Sequence, residues 1–325
     1  MTLSNAEKMD RLIKIAKLYY EKNYSQQEIS AIVHIHRTEI SRLLTLAKKM
    51  GIVRTIVRAP INSQTQELSD YICQNFDVKQ AVVVPTDPQE TYQDTLNSIA
   101  LYANEVINNY LTDNCVVGLS WGKTLEAIVN LFYPQENYEH IKIVPLIGGP
   151  LDQLEMSCQA NSLVSNLSRK IPNSTISTIN APAFIRSLAA KKEILATKNN
   201  RDTVNSWKKV NLAIVGIGSV KNVTNNWHQF YKQMGVGEIY PQSMVGDILS
   251  QAYSLDGTEY QQTSPNLVGM ELTNLKKIST TIAVATGSKK IDAILGGLRA
   301  QIFNVLITTD KTVQQIQNQI NNSQK

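Results

Sequence analysis

Short, continuously apolar runs that alternate with helix-patterned stretches constrain this chain more than any other feature. The runs fall at residues 81–85 (AVVVP), 115–119, 141–147, 175–179, 212–216, 280–285 and 305–308. Helix-patterned stretches stand at 65–76, 90–111, 123–132, 158–170, 244–250, 289–300 and 311–320. A strand apolar throughout must be covered on both faces, and parallel neighbours need a crossover, usually a helix. The pattern predicts a mostly parallel α/β sheet with helices on both sides. No internal repeat interrupts it, and the polar end NNSQK is expected to fray.

Upstream, residues 25–51 (SQQEISAIVHIHRTEISRLLTLAKKMG) read as helix, tight turn, helix. Ser25 and Glu28 form a capping box, whose loss costs about 1 kcal/mol. Ile29, Ile32 and Val33 lie at helical spacing, and Ile35 plugs the small core from the turn. In the second helix Ile40, Leu43, Leu44 and Ala47 recur at i, i+3, i+4, i+7, and Gly51 ends it. Its other face carries Thr38, Ser41, Arg42 and Thr45, with Arg37 at the open end. An earlier stripe of Met9, Leu12, Ile13, Ala16, Tyr19 and Tyr20 adds a first helix. The following IVRTIVR is β-prone, a short wing or a lone strand, whose Arg54 and Arg58 touch phosphates or are plain surface.

A helix dry on one side and lined with hydroxyls and arginines on the other suits the DNA major groove, where Arg bonds guanine O6 and N7 together. A helical hairpin with a solvated face has the same pattern, but charge favours DNA. Residues 1–60 hold 11 Lys+Arg against 5 Asp+Glu, whereas the remainder holds 21 against 22. The excess positive charge sits on the N-terminal unit, where phosphate contacts need it. The expected division is a helix-turn-helix DNA-binding domain at 1–58, a linker at 59–64 and a larger body at 65–325.

Composition narrows the rest. The chain is 42% hydrophobic and 18% charged, with no basic-then-apolar leader and no apolar run long enough to span a bilayer, so a cytoplasmic protein without a membrane partner is expected. Cys73, Cys115 and Cys158 are odd in number and far apart, as reduced buried thiols are. His34, His36, His140 and His228 do not combine with cysteines at zinc-ligand spacing, so neither metal nor cofactor is expected.

Four strand ends in the body could hold a ligand, since open α/β sheets bind at the carboxyl ends of their strands. The first is VGLSWGKT, where Gly118 and Gly122 allow close approach and Ser120, Lys123 and Thr124 offer donors; a plain strand-to-helix turn would look alike. The second is PLIGGP, with Gly148 and Gly149. The third, VGIGS, holds Gly216, Gly218 and Ser219, but Lys221 stands where a dinucleotide fingerprint needs glycine. The fourth, ATGSKK, places Lys289 and Lys290 at a helix mouth, suited to phosphate or sugar hydroxyls or simply to solvent. Asp247 interrupts the apolar run VGDIL, where it could accept sugar hydroxyls or cap a helix. No nucleophile–base arrangement is evident, so catalysis has no positive support.

Together these stretches resemble the SorC family of bacterial sugar-responsive transcriptional regulators. The resemblance covers nearly the whole chain: TEISRLLTLAKKMGIV, VGLSWGKTL, VPLIGGP, LAIVGIGS, VGDIL followed by LDG, and ATGSKKIDAILGGLRAQIFNVLIT occur in the family's order. LIGGPLDQLE and NNWHQFY resemble the regulators of sorbose operons most. The resemblance implies a three-helix helix-turn-helix unit joined to a Rossmann-like (NagB/RpiA/CoA-transferase-like) sugar-binding domain. It also implies a tetramer of paired dimers, double-stranded operator DNA as partner, and L-sorbose or its 1-phosphate as effector. The DNA-reading set is then Arg37, Thr38, Glu39, Ser41, Arg42 and Thr45. The effector pocket takes Ser120, Gly122, Lys123, Thr124, Gly148, Gly149, Gly216, Gly218, Ser219, Asp247 and Lys290. The chain departs from the family at His34 and His36, where glycine and serine are usual, so a histidine has to accept the turn. The rival readings are a sugar-phosphate isomerase or deaminase on the same fold, and a DNA-binding structural protein without a ligand.

Overall fold

The computed structural model describes residues 5–50, 52–53, 60–149, 155–185, 187–220, 243–260 and 266–323. The chain divides into two compact units, Met1–Ala59 and Pro60–Lys325.

The first unit contains α1 (Asn5–Tyr20), α2 (Gln26–Val33) and α3 (Arg37–Lys49). The capping box forms: Ser25 Oγ accepts the Glu28 N–H at 3.2 Å, and the Glu28 carboxylate accepts the Ser25 N–H at 2.8 Å. His34 takes the left-handed conformation that ends α2, at φ 52°, a region histidine enters more readily than most residues. Ile15, Ile29 and Ile40 are fully buried, joined by Ile35 and Leu44. The interior stripe differs from the expected one. Ile15 belongs to it, Met9 is exposed and Ile13 half-buried. Ile32 is 44% exposed, although it lies only one helical step from the buried Ile29. Gly51 and residues 54–59, hence the wing, lie outside the described residues.

In the second unit, α4 (Ser63–Asn75) starts inside the expected linker because Asn62 caps it, accepting the Thr65 N–H at 2.9 Å. Then come β1 (Gln80–Val84), α5 (Tyr92–Tyr110), β2 (Val116–Leu119), α6 (Lys123–Leu131), β3 (Lys142–Pro145), α7 (Ala160–Ser168), β4 (Thr175–Ile176), α8 (Leu188–Ala196) and α9 (Lys198–Trp207). The remainder is β5 (Leu212–Gly216), β6 (Gly218–Ser219), β7 (Met244–Ile248), β8 (Gln251–Ser254), α10 (Leu272–Leu275), β9 (Thr280–Val284), α11 (Ile291–Arg299), β10 (Val305–Thr309) and α12 (Asp310–Ser323). Seven strands form one sheet in the order β1-β10-β9-β5-β2-β3-β4, every pair parallel. Both faces are dry. Val82, Val117, Ile214 and Ile282 face α5, α6 and α7, whereas Val83, Ala213, Val215 and Ala283 face the core that α4, α11 and α12 share. The α/β expectation holds.

Two expectations fail. Residues 175–179 are not a buried strand: β4 is two exposed residues on the sheet edge. The stretch 244–250 is not a helix but β7 and the start of a hairpin to β8, in a separate antiparallel sheet β6-β7-β8. Its two turn residues, Leu249 (φ 51°) and Ser250 (φ 58°), are both left-handed. Hairpins of this kind normally announce themselves with Asn-Gly, so Leu-Ser hid the turn and left an apolar run with helical spacing. The last helix runs through Ser323, and Gln324 and Lys325 of the polar end lie outside the described residues.

The corrected core of the first unit is directly testable. Ile15→Ala should destabilise it by about 2–5 kcal/mol, while Ile32→Ala should stay within about 0.5 kcal/mol, read by chemical denaturation. The reverse ranking would restore the expected stripe.

Candidate functional site

On α3 the residues Arg37, Thr38, Glu39, Ser41, Arg42 and Thr45 are all exposed, while Ile40, Leu44 and Ala47 are buried beneath them. His36 occupies the N-cap without a side-chain cap bond. Its Nδ1 pairs instead with Thr38 Oγ1 at 2.9 Å. At the far end Lys48 Nζ sits 5.7 Å from the centroid of the Tyr20 ring, a cation–π contact that ties α3 to α1. The helix presents hydroxyls and guanidinium groups along one ridge, with Glu39 in its first turn and Lys48 and Lys49 in its last, as the helix dipole favours.

In the second unit, the four loops singled out from sequence leave four adjacent strands, β9, β5, β2 and β3, at their carboxyl ends. After β2, Ser120 is buried and its Oγ accepts the Gly216 N–H at 3.1 Å, so this hydroxyl ties two strand ends together. Gly122 (φ 123°) opens α6; a side chain there would find room but not a relaxed backbone. Its N–H donates to the Cys158 carbonyl at 3.0 Å. Thr124 is buried, and Lys123 reaches Glu155 at 3.6 Å on a rim where both side chains are mostly exposed, a pair of little energetic weight. After β3, the Gly148 N–H donates to Val268 O and the Gly149 N–H to Ala181 O. Those glycines supply close backbone approach, not free donors. Cys158 and Cys115 are buried free thiols, pushed up by burial to about 12 and about 11, as inert cysteines are.

Asp247 and Lys290 form the electrostatic centre. Asp247 lies on β7 opposite Gly218 of β6, and a Cβ at Gly218 would land on its carboxylate and push it from where it sits. Lys290 ends a 3₁₀ turn (Ser288–Lys290) that follows β9. Both side chains are half-buried by exposed area, yet protein crowds round them and dominates their ionisation. Burial pushes Asp247 up to about 6, against the pull of Lys290 and a hydrogen bond from the Ser250 backbone. Burial lowers Lys290 from its ordinary value, and Asp247 opposes that. A carboxylate and an ammonium close enough to feel each other's charge in a poorly solvated site can accept sugar hydroxyls and pair with an anion. Tyr253, which sequence reading missed, is fully buried; its Oη donates to Ala293 O at 2.9 Å and its ionisation is opposed by burial and by Asp247. Its signal lay in the unrecognised hairpin. Among the described residues no cluster of His, Cys, Asp and Glu could hold a metal, and no helix is long and apolar enough to cross a membrane.

Comparison with known proteins places these features in context. Residues 61–318 match the family model described as "Putative sugar-binding domain". The sorbitol operon regulator of Klebsiella pneumoniae is 26% identical over 315 residues, 96% of this chain and 99% of the relative. The deoxyribonucleoside regulator of Bacillus subtilis is 26% identical over 317 residues, 97% of this chain and 99% of the relative. The crystal structure of the full-length Klebsiella pneumoniae sorbitol operon regulator SorC superposes with a TM-score of 0.73 at 27% identity, covering 96% of this chain and 99% of that one.

The Asp247 site has a pH signature. An acid whose folded pKa stands above its ordinary 3.8 favours the folded state fully below that value, and the contribution is lost as pH rises through about 6. Asp247→Asn should therefore flatten the pH dependence of stability between those limits and stabilise the protein at pH 7 by about 1–3 kcal/mol. Denaturation curves across pH check this; an unchanged pH profile would remove Asp247 as its source.

Proposed function

The chain belongs to the SorC family of sugar-binding transcriptional regulators, and from that premise we propose that it binds operator DNA with α3 under the control of a sugar effector. Its named relatives are regulators of transcription and not enzymes. The observation that carries the reading is the Asp247–Lys290 pair, set against Gly218 beside the ends of four adjacent parallel strands. A carboxylate there accepts sugar hydroxyls, and the lysine attracts phosphate.

The effector we propose is a six-carbon sugar or polyol, free or as its phosphate. The motifs around residues 146–155 and 225–231 point to sorbose, while the named relatives are regulators of sorbitol and deoxyribonucleoside systems. Gly122, Lys123 and Thr124 shape one wall of the proposed pocket, and Gly148, Gly149, Gly216 and Ser219 bring backbone close on the others. Ser120 is assigned to holding strand ends. The setting is the cytoplasm, and the working form is a tetramer of paired dimers. Two α3 helices about 34 Å apart then read a near-palindromic site, and the effector shifts that spacing.

Fluorescence anisotropy on DNA upstream of the neighbouring sugar operon, at fixed salt, tests both halves. A titration with L-sorbose, sorbose 1-phosphate, sorbitol and sorbitol 6-phosphate should show one ligand changing operator affinity by about tenfold, or about 1.4 kcal/mol of coupling. Absence of any DNA binding would overturn the regulator reading for α3. Arg42→Ala should weaken operator binding by about 1–3 kcal/mol; unchanged affinity would take Arg42 out of the base-reading set.

A further inference from the structure

The turn that carries Lys290 is fastened at both ends to the last helix. At its start, Thr286, Thr309 and Thr312 form a closed ring of hydroxyls. Thr286 to Thr309 is 2.8 Å, Thr309 to Thr312 is 2.8 Å, and Thr286 to Thr312 is 3.3 Å. All three side chains are buried. Thr312 Oγ1 also accepts the Gly287 N–H at 3.2 Å, and Gly287 (φ 105°) opens the 3₁₀ turn, which closes when the Lys290 N–H donates to Gly287 O at 2.9 Å. At the far side, Gln319 Nε2 donates to Asp292 Oδ1 at 2.8 Å. Thr312 and Gln319 both belong to α12 and lie about two turns apart.

Bulk packing does not explain this fastening. Between turn and helix lies a polar cleft of about 310 Å³, lined by Ser219, Ser288, Lys289 and Gln315 among others. A Cβ placed on Gly287 would meet nothing within 4 Å. Directional bonds, not apolar contact, therefore set where the turn sits. A ring of three hydroxyls lets each donate and accept once and leaves a lone pair on Thr312 for the Gly287 amide, so the buried polar groups are satisfied together.

We propose that Thr312 is a positioning residue for the effector: through the Gly287 amide it fixes the turn that presents Lys290 beside Asp247, with Gln319 as the second anchor. The proposal rests on the reading of Asp247 and Lys290 as effector-binding groups, and it assigns Thr312 and Gln319 a role that acts only through Lys290.

The test compares full-length wild type with Thr312→Val, Thr312→Ser and Gln319→Leu. Valine keeps the shape but leaves the Gly287 amide and one hydroxyl proton without an acceptor, since Thr286 and Thr309 still bond each other; serine keeps the bonds, and the half-buried Gln319 is replaceable without opening the core. Calorimetry with sorbose 1-phosphate and sorbitol 6-phosphate should show binding weakened about tenfold by Thr312→Val and in the same direction by Gln319→Leu. Thr312→Ser should stay within about twofold of wild type. NMR titration of the Lys290 side chain without ligand should show its pKa rising towards the ordinary lysine value in Thr312→Val and returning in Thr312→Ser. Wild-type affinity and an unmoved Lys290 titration in both disruptive variants would overturn the proposal. Loss that serine does not rescue would also overturn it, by reducing Thr312 to a structural residue. If wild type binds neither phosphate, the effector reading fails, and the Lys290 titration still decides whether Thr312 holds the turn.

Discussion

Strands that run parallel in one sheet all end on the same side, and the second unit is built on that constraint. Its seven strands need six crossovers to return the chain, and helices must cover two apolar faces, which the crossovers α5 to α7 and α11 do together with α4 before the first strand and α12 after the last. Loops that follow the strands then gather at one edge, whatever their sequences. Glycine, hydroxyl and lysine residues far apart in the chain become neighbours there because β9, β5, β2 and β3 are neighbours. The small antiparallel sheet adds what the parallel one lacks, an acid set beside those ends on β7.

That acid sits under tension. Asp247 is held in a site that disfavours its charge, and it accepts a hydrogen bond from Ser250, one of two consecutive non-glycine residues in left-handed conformation. Unfavourable ionisation and uncommon backbone thus fall in the same hairpin. The helix of the first unit shows no such tension: α3 buries its apolar stripe and leaves its hydroxyls and arginines to solvent.

Much of this was legible in the chain, for definite reasons. Buried parallel strands such as Leu212–Gly216 and Thr280–Val284 are apolar on both faces, so period and propensity agree. The capping box at Ser25 and the stripe Ile40, Leu44, Ala47 state a helix outright. The hairpin was illegible because Leu249 and Ser250 are not turn residues by type. Helix α9 was missed because the face it buries is polar. Asn200, Thr203 and Ser206 are inside, Thr203 Oγ1 donating to Thr178 O and Ser206 Oγ accepting from Lys142 Nζ, and no hydrophobic period can reveal that. Of the site, the loops could be named from residue types alone. Which donors were already engaged could not: Ser120 binds Gly216, and Gly148 and Gly149 bind passing backbone.

Strand order carries a consequence for how the chain comes into being. β1 is paired along its whole length with β10, and Thr86, just past β1, bonds Asp310, 224 residues later. A chain emerging from its N-terminus has α1, α2 and α3 complete, with every partner of their core in hand, while β1 still waits for its neighbour. Closing so long a loop is slow and entropically costly. During synthesis the three helices of the first unit thus have their core in hand well before β1, at the edge of the large sheet, gains its partner. A chain that ends before β10 keeps the core of the first unit whole and leaves β1 without its neighbour.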